Sequence, residues 1–226
     1  MREVRAGELT LIPRPGKPYV WVTWITGLLS GEEKCAWRYW VKARHQSYQK
    51  PPEDPEDKKK LQEWNKLHDA MVVSRAERLK QEGYEVRVED ANSFRLVGDI
   101  ATLAGKPDVI GLKPKEKYAI LVDEKSGRPK DRYIWQVMIY QFAKKLTDLK
   151  GWTIHGEVEY QQQVVPVSDA LLTQDATRAI SDVVKRIVVT EPPRVPSAAE
   201  CKYCDVVACP DRYKEQTQTA DVRKYF

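Results

Sequence analysis

At 226 residues, 42% hydrophobic and 31% charged, the chain can bury a sizeable core. It holds no apolar run near the ~20 residues of a membrane helix, and residues 1–15 have no apolar segment followed by a cleavage site, so a cytoplasmic protein without a membrane partner is expected. The formal charge of +5 and pI near 8.9 permit nucleic-acid binding without requiring it, while dense charge, many prolines and four cysteines suit a thermophile.

Residues 1–18 read as an irregular or edge-strand arm, residues 19–24 as a short β-prone stretch and residues 26–31 as a turn or helix start. Residues 34–42 form an aromatic, basic helix, and the proline-rich, charged residues 49–60 a surface loop. Residues 61–81 predict a helix. Leu61, Trp64, His68, Met71, Val72 and Leu79 recur at three- and four-residue spacings and make one apolar face, and Gly83 caps its end. A histidine on such a face is either a hydrogen-bonded core residue or a ligand.

Residues 84–89 alternate Val86 and Val88 with charged residues, as a strand does. Residues 93–103, 105–112 and the apolar run 118–122 predict three more strands, which would pair in order as a meander. A helix over 133–149 follows, apolar around much of its circumference, with Gln136 and Tyr140 neighbours on one face. Residues 153–167 predict a strand, Ser168 caps a helix over 169–189, and residues 191–196 form a rigid linker.

The chemistry concentrates in Lys106-Pro107-Asp108 and Asp123-Glu124-Lys125. Alternation along a strand puts Asp123 and Lys125 on one face and Glu124 on the other. Such acids could hold a hard cation such as Mg²⁺ with an ammonium beside it; a solvated strand end is the alternative. Arg128, Lys130 and Arg132 follow as a candidate DNA contact. Trp37, Tyr39 and Trp40, interleaved with Arg38 and Lys42, could stack bases, though packing around a nearby metal group is the preferred reading.

Three cysteines, Cys201, Cys204 and Cys209, are spaced C-x₂-C-x₄-C, with Cys35 far upstream. Without a signal peptide disulfides are not expected. Four thiolates complete a site for an iron–sulfur cluster or Zn²⁺, and the one-plus-three split and terminal Cys-Pro favour the cluster. It would staple the aromatic helix to the C-terminal tail.

Thr23-Trp24-Ile25-Thr26-Gly27, Cys35 with Trp37-Arg38-Tyr39-Trp40, His68, Gly105-Lys106-Pro107-Asp108, Asp123-Glu124-Lys125-Ser126-Gly127, Gln136-x-x-x-Tyr140 and the terminal cysteine trio occur in an order that resembles the iron–sulfur RecB-like nucleases. Size and order are most similar to their CRISPR-associated exonuclease branch, the fourth Cas family. The sequence departs from it in Cys35-Ala36-Trp37-Arg38, where Cys-Pro-Arg is usual, and in Asp123, where Glu is commoner.

The resemblance implies one RecB-like nuclease domain over 1–226 with an α/β, PD-(D/E)xK core, a mixed sheet flanked by helices. Residues 23–50 and 190–213 would together form the cluster region. It implies His68, Asp108, Asp123 and the main-chain carbonyl of Glu124 as ligands of Mg²⁺ or Mn²⁺, Lys125 as the group that orients or deprotonates water, and Gln136 and Tyr140 as supports. Cys35, Cys201, Cys204 and Cys209 would bind a cluster, 4Fe–4S before 2Fe–2S. The implied activity is a 5′-to-3′ exonuclease on single-stranded DNA that processes spacer precursors with the CRISPR integrase complex in antiviral defence. The alternatives are a non-catalytic iron–sulfur DNA-binding adaptor, or a repair, recombination or viral nuclease.

Overall fold

The computed structural model describes residues 11–52, 54–207 and 209–213, so the first ten residues of the expected arm lie outside the described residues. Strand β1 (Ile12–Pro13) precedes β2 (Tyr19–Trp21), helix α1 (Val22–Leu29), helix α2 (Trp37–Arg44) and strand β3 (His45–Ser47), which pairs with β1. Helix α1 thus starts within the stretch expected to be β-prone. The 27-residue helix α3 (Pro55–Gln81) starts inside the expected loop: Asp54 caps it by accepting from Glu56 N at 2.8 Å, and Pro55 fills the first turn, where no N–H is needed. Only its second half buries an apolar face, through Val72, Ala76 and Leu79. Leu61 and Trp64, expected on that face, are exposed.

Strands β4 (Glu85–Val88), β5 (Phe94–Val97), β6 (Thr102–Gly105), β7 (Val109–Lys113) and β8 (Tyr118–Lys125) follow, then helix α4 (Asp131–Leu146), strands β9 (Thr153–Tyr160) and β10 (Val164–Val167), and helices α5 (Gln174–Val188) and α6 (Ala198–Lys202). The expected meander is broken. The main five-stranded sheet has the order β10-β9-β8-β7-β4, and β5 and β6 leave it to join β2 in a three-stranded sheet. A short turn at Glu89–Asn92, with Glu89 at φ +49°, redirects the chain between the two sheets. The stretch 93–103 is a hairpin rather than one strand, closed by Gly98 N on Ala101 O at 2.9 Å. Residues 153–167 are likewise a hairpin, and Ser168 caps a single turn before Thr173 caps α5.

β8 pairs antiparallel with β7 and parallel with β9. It is buried on both faces, hence its nearly unbroken apolar run. Ala119 and Leu121 pack into the core beneath α4, which α1 and α5 also line, while Ile120 and Val122 pack against Val72, Ala76 and Leu79 of α3. That alternation directs the charged end of the strand, with Asp123 on the α4 side and Glu124 on the α3 side. Trp37 and Tyr39 are buried, in keeping with the packing role rather than stacking. Among the described residues no helix is long and apolar enough to cross a membrane.

Candidate active site and cysteine cluster

Asp108 sits just before β7, held by a turn that sequence reasoning did not single out. The fully buried Asn92 donates its amide to Arg87 O at 3.0 Å and Pro107 O at 3.2 Å, tying the Lys106–Asp108 loop to the end of β4. The only signal for it was a turn-forming asparagine in Glu-Asp-Ala-Asn. Gly105 opens the same motif for a steric reason: a Cβ there would come within 2.7 Å of both Phe94 Cζ and Tyr140 Cε1. The glycine lets the Tyr140 ring lie against β6.

Asp108 Oδ2 accepts from Glu124 N at 2.8 Å and lies 3.4 Å from His68 Nε2. The imidazole of α3 therefore reaches the end of the sheet, and the Asp108 carboxylate holds its pKa above the ordinary value. Trp64 stacks on the same ring, with centroids 5.3 Å apart. From the α4 side, Gln136 Nε2 donates to Asp123 Oδ1 at 2.7 Å and to Tyr140 Oη at 3.0 Å. Lys125 Nζ is 2.6 Å from Asp123 Oδ2, which has no partner of hydrogen-bond geometry although it is buried.

Burial raises the Asp123 carboxyl to about 6, with the Asp108 charge adding to the rise and the Lys125 ammonium opposing it. Burial alone would depress Lys125, but the Asp123 and Asp108 carboxylates outweigh it and keep the amine charged. Burial also raises Tyr140 well above its ordinary range. A buried carboxylate whose second oxygen meets only the Lys125 ammonium, a second aspartate and an imidazole form a donor set suited to a divalent cation.

His68 also faces outward. Its ring, Asp69 and Glu89 bring ligand atoms within 4.8 Å of one another. Asp69 is exposed there and Glu89 is ion-paired with Lys106, so the buried aspartates are the stronger donors. The Glu124 side chain, on the α3 face, was not singled out by sequence reasoning. It is fully buried, both its oxygens lack hydrogen bonds, and burial beside Glu159 and Asp108 raises it to about 8.

Of the three cations after Gly127, Arg128 and Lys130 are exposed and make no ion pair among the described residues. Arg132 is instead ion-paired within the chain. Its Nε is 2.6 Å from Glu32 Oε2 and its Nη1 3.0 Å from Glu33 Oε1, so it fastens α4 to the loop after α1.

A second cluster of candidate ligands lies where α2 meets the C-terminal segment. Cys35, Cys201, Cys204 and Cys209 line one small cavity, and none is in a disulfide. The Glu200 carboxylate accepts from Lys34 N and Cys35 N, both at 3.0 Å, and Lys42 Nζ meets Asp205 Oδ2 at 2.9 Å. These contacts join α2 to the tail around the thiols.

A family model described as the PD-(D/E)XK nuclease superfamily matches residues 23–210. The chain belongs to that superfamily. Its members use divalent metals for nuclease chemistry, and the mixed sheet with flanking helices is consistent with their fold. A solved structure titled "Crystal structure of SSO0001" aligns with 89% of this chain and 90% of that chain, at 17% identity and a TM-score of 0.46. No curated protein matches the chain.

Proposed function

We propose that this superfamily member is a metal-dependent exonuclease on single-stranded DNA, of 5′-to-3′ polarity, that trims spacer precursors beside the CRISPR integrase complex. The observation that carries the hydrolytic reading is the convergence of His68, Asp108, Asp123 and Lys125 at the end of β8, with Asp123 Oδ2 buried against the Lys125 ammonium. The single-strand and CRISPR elements rest on the ordered motifs of the sequence.

In this reading His68, Asp108, Asp123 and the Glu124 main-chain carbonyl hold Mg²⁺ or Mn²⁺. The cation supplies charge neutralisation at the phosphoryl group and acidifies water. Lys125, kept as an ammonium by its carboxylate neighbours, orients the water and offsets charge developing on phosphorus. Gln136 fixes one oxygen of Asp123 so that the other stays turned to the site, and Tyr140 braces the amide. Arg128 and Lys130 contact the phosphates of the strand.

The four cysteines are proposed to bind an iron–sulfur cluster, 4Fe–4S rather than 2Fe–2S. Support comes from the donor set: four unpaired thiols from two distant segments line a single cavity. The group would act as a structural staple, since the short tail has few apolar residues of its own.

The deciding experiment follows 5′- and 3′-labelled single and double strands with Mg²⁺, Mn²⁺ or chelator. Wild type should shorten single strands from the 5′ end only with metal, and Asp123→Ala and Lys125→Ala should not. Variants as fast as wild type would overturn the site assignment.

A further inference from the structure

Strands β8 and β9 run parallel and stop together, with Lys125 paired in register with Tyr160. Beyond them the chain turns away twice, through residues 126–129 and through Gln161, Gln162 and Gln163. Between the two turns lies a cleft of about 500 Å³, within the range of small-ligand sites. It opens outside the carboxyl ends of parallel strands, where α/β sheets place ligands.

The cleft adjoins the acidic site. Lys125 Nζ, beside Asp123, lies 5.1 Å from the Tyr133 ring centroid, and the Tyr133 and Tyr160 centroids are 6.5 Å apart. Tyr160 lines the cleft. One side chain, Tyr133, therefore lies between its Tyr160 wall and the amine.

Its lining has one cation, Arg128, and no carboxylate. The three glutamines are exposed and stand in a turn closed by Tyr160 N on Gln163 O at 2.8 Å. Tight turns favour Gly, Asn, Asp, Ser or Pro, each for a conformational reason that glutamine does not share. No residue of this turn has a positive φ. Turn chemistry thus leaves three long amides in a row without explanation. A primary amide carries both a donor pair and an acceptor, and it can match the donor–acceptor edge of adenine. Unpaired bases present such edges freely.

We propose that this cleft takes the nucleotide flanking the scissile phosphate of a single DNA strand, with Arg128 on its phosphate and the Gln161–Gln163 amides reading its base edge, adenine before thymine. The proposal rests on the nuclease reading above and adds a base-preference site to it.

The test separates binding from cleavage. Fluorescence anisotropy of labelled oligo-dA and oligo-dT is measured in chelator, where no hydrolysis occurs. Wild type should bind oligo-dA about tenfold more tightly. The triple variant Gln161→Ala, Gln162→Ala, Gln163→Ala should bring the two affinities within about twofold. Gln162→Glu, a near-isosteric change at an exposed position, should weaken oligo-dA selectively. Arg128→Ala should weaken both alike and reduce the salt slope by about one. A wild type indifferent to base, or a folded triple variant that keeps the preference, would overturn the cleft assignment. Wild-type cleavage with Mn²⁺ is scored separately: preference without cleavage sinks the nuclease reading, and cleavage without preference sinks the cleft alone.

Discussion

Replacing Gln136 with leucine keeps most of the side-chain volume and removes the amide that Asp123 and Tyr140 share. The lost bond is 2.7 Å long and ends on a carboxylate that is 1% exposed, so water cannot replace the donor. A hydrogen bond to a charged acceptor contributes roughly 1.5–3 kcal/mol. A loss of about 2 kcal/mol should lower Tm by about 4–8 °C in a chain of this size. Asp123, already raised to about 6 by burial, should rise further because its ionised form loses a donor. Freed from Gln136, the carboxylate should also bind Mn²⁺ about 10- to 100-fold more weakly, as when an outer partner of a metal ligand is removed. Calorimetric melting and isothermal titration with Mn²⁺ at neutral pH read both effects. A folded Gln136→Leu protein with wild-type Mn²⁺ affinity would refute the argument that this amide orients Asp123.

Glu124 has a raised folded-state pKa of about 8 against an ordinary 4.5, so the folded state keeps a proton that the unfolded chain releases between those values. Stability should therefore fall as pH rises through that window, by at most about 1.4 kcal/mol per unit, and Glu124→Gln should flatten the slope in denaturant titrations at several pH values. An unchanged slope would show that another group sets it. Gly156→Ala should cost about 2 kcal/mol in chemical denaturation, because the new Cβ would come within 2.5 Å of Val137 Cγ1 and 2.7 Å of Gln141 Nε2. A neutral result would mean that α4 is not seated as closely on β9 as the structure has it. Cys35→Ser should reduce iron and sulfide in anaerobically purified protein and lower its Tm; wild type that is colourless and loaded with zinc would count against the cluster.

Local pattern carried much of this protein. The apolar run before Asp123 marked a strand buried on both faces, and simple alternation put Asp123 and Lys125 together, with Glu124 opposite. Gln136 and Tyr140 were legible as neighbours because four residues make about one helical turn. The glutamine turn was present in the sequence but had no pattern to mark it, because its importance comes from standing beside the end of β8. The same holds for Asn92, whose amide matters only because Pro107 lies opposite it.

By itself the sequence marked where most helices and strands lie, the two faces of the Asp123–Lys125 strand, and which residue types could bind a cation or sulfur-ligated metal; it left open the starts of α1 and α3 and the hairpins within 93–103 and 153–167. It could not determine who sits beside whom. Alternation reports the two faces of a strand and nothing about its edge partners, so β5 and β6 could leave the expected meander for β2 without any local sign. The capture of Arg132 by Glu32 and Glu33 and the 3.4 Å approach of His68 to Asp108 are likewise contacts between segments far apart in the chain. Only packing of the whole molecule decides such contacts, because their energy exists only once both partners are in place.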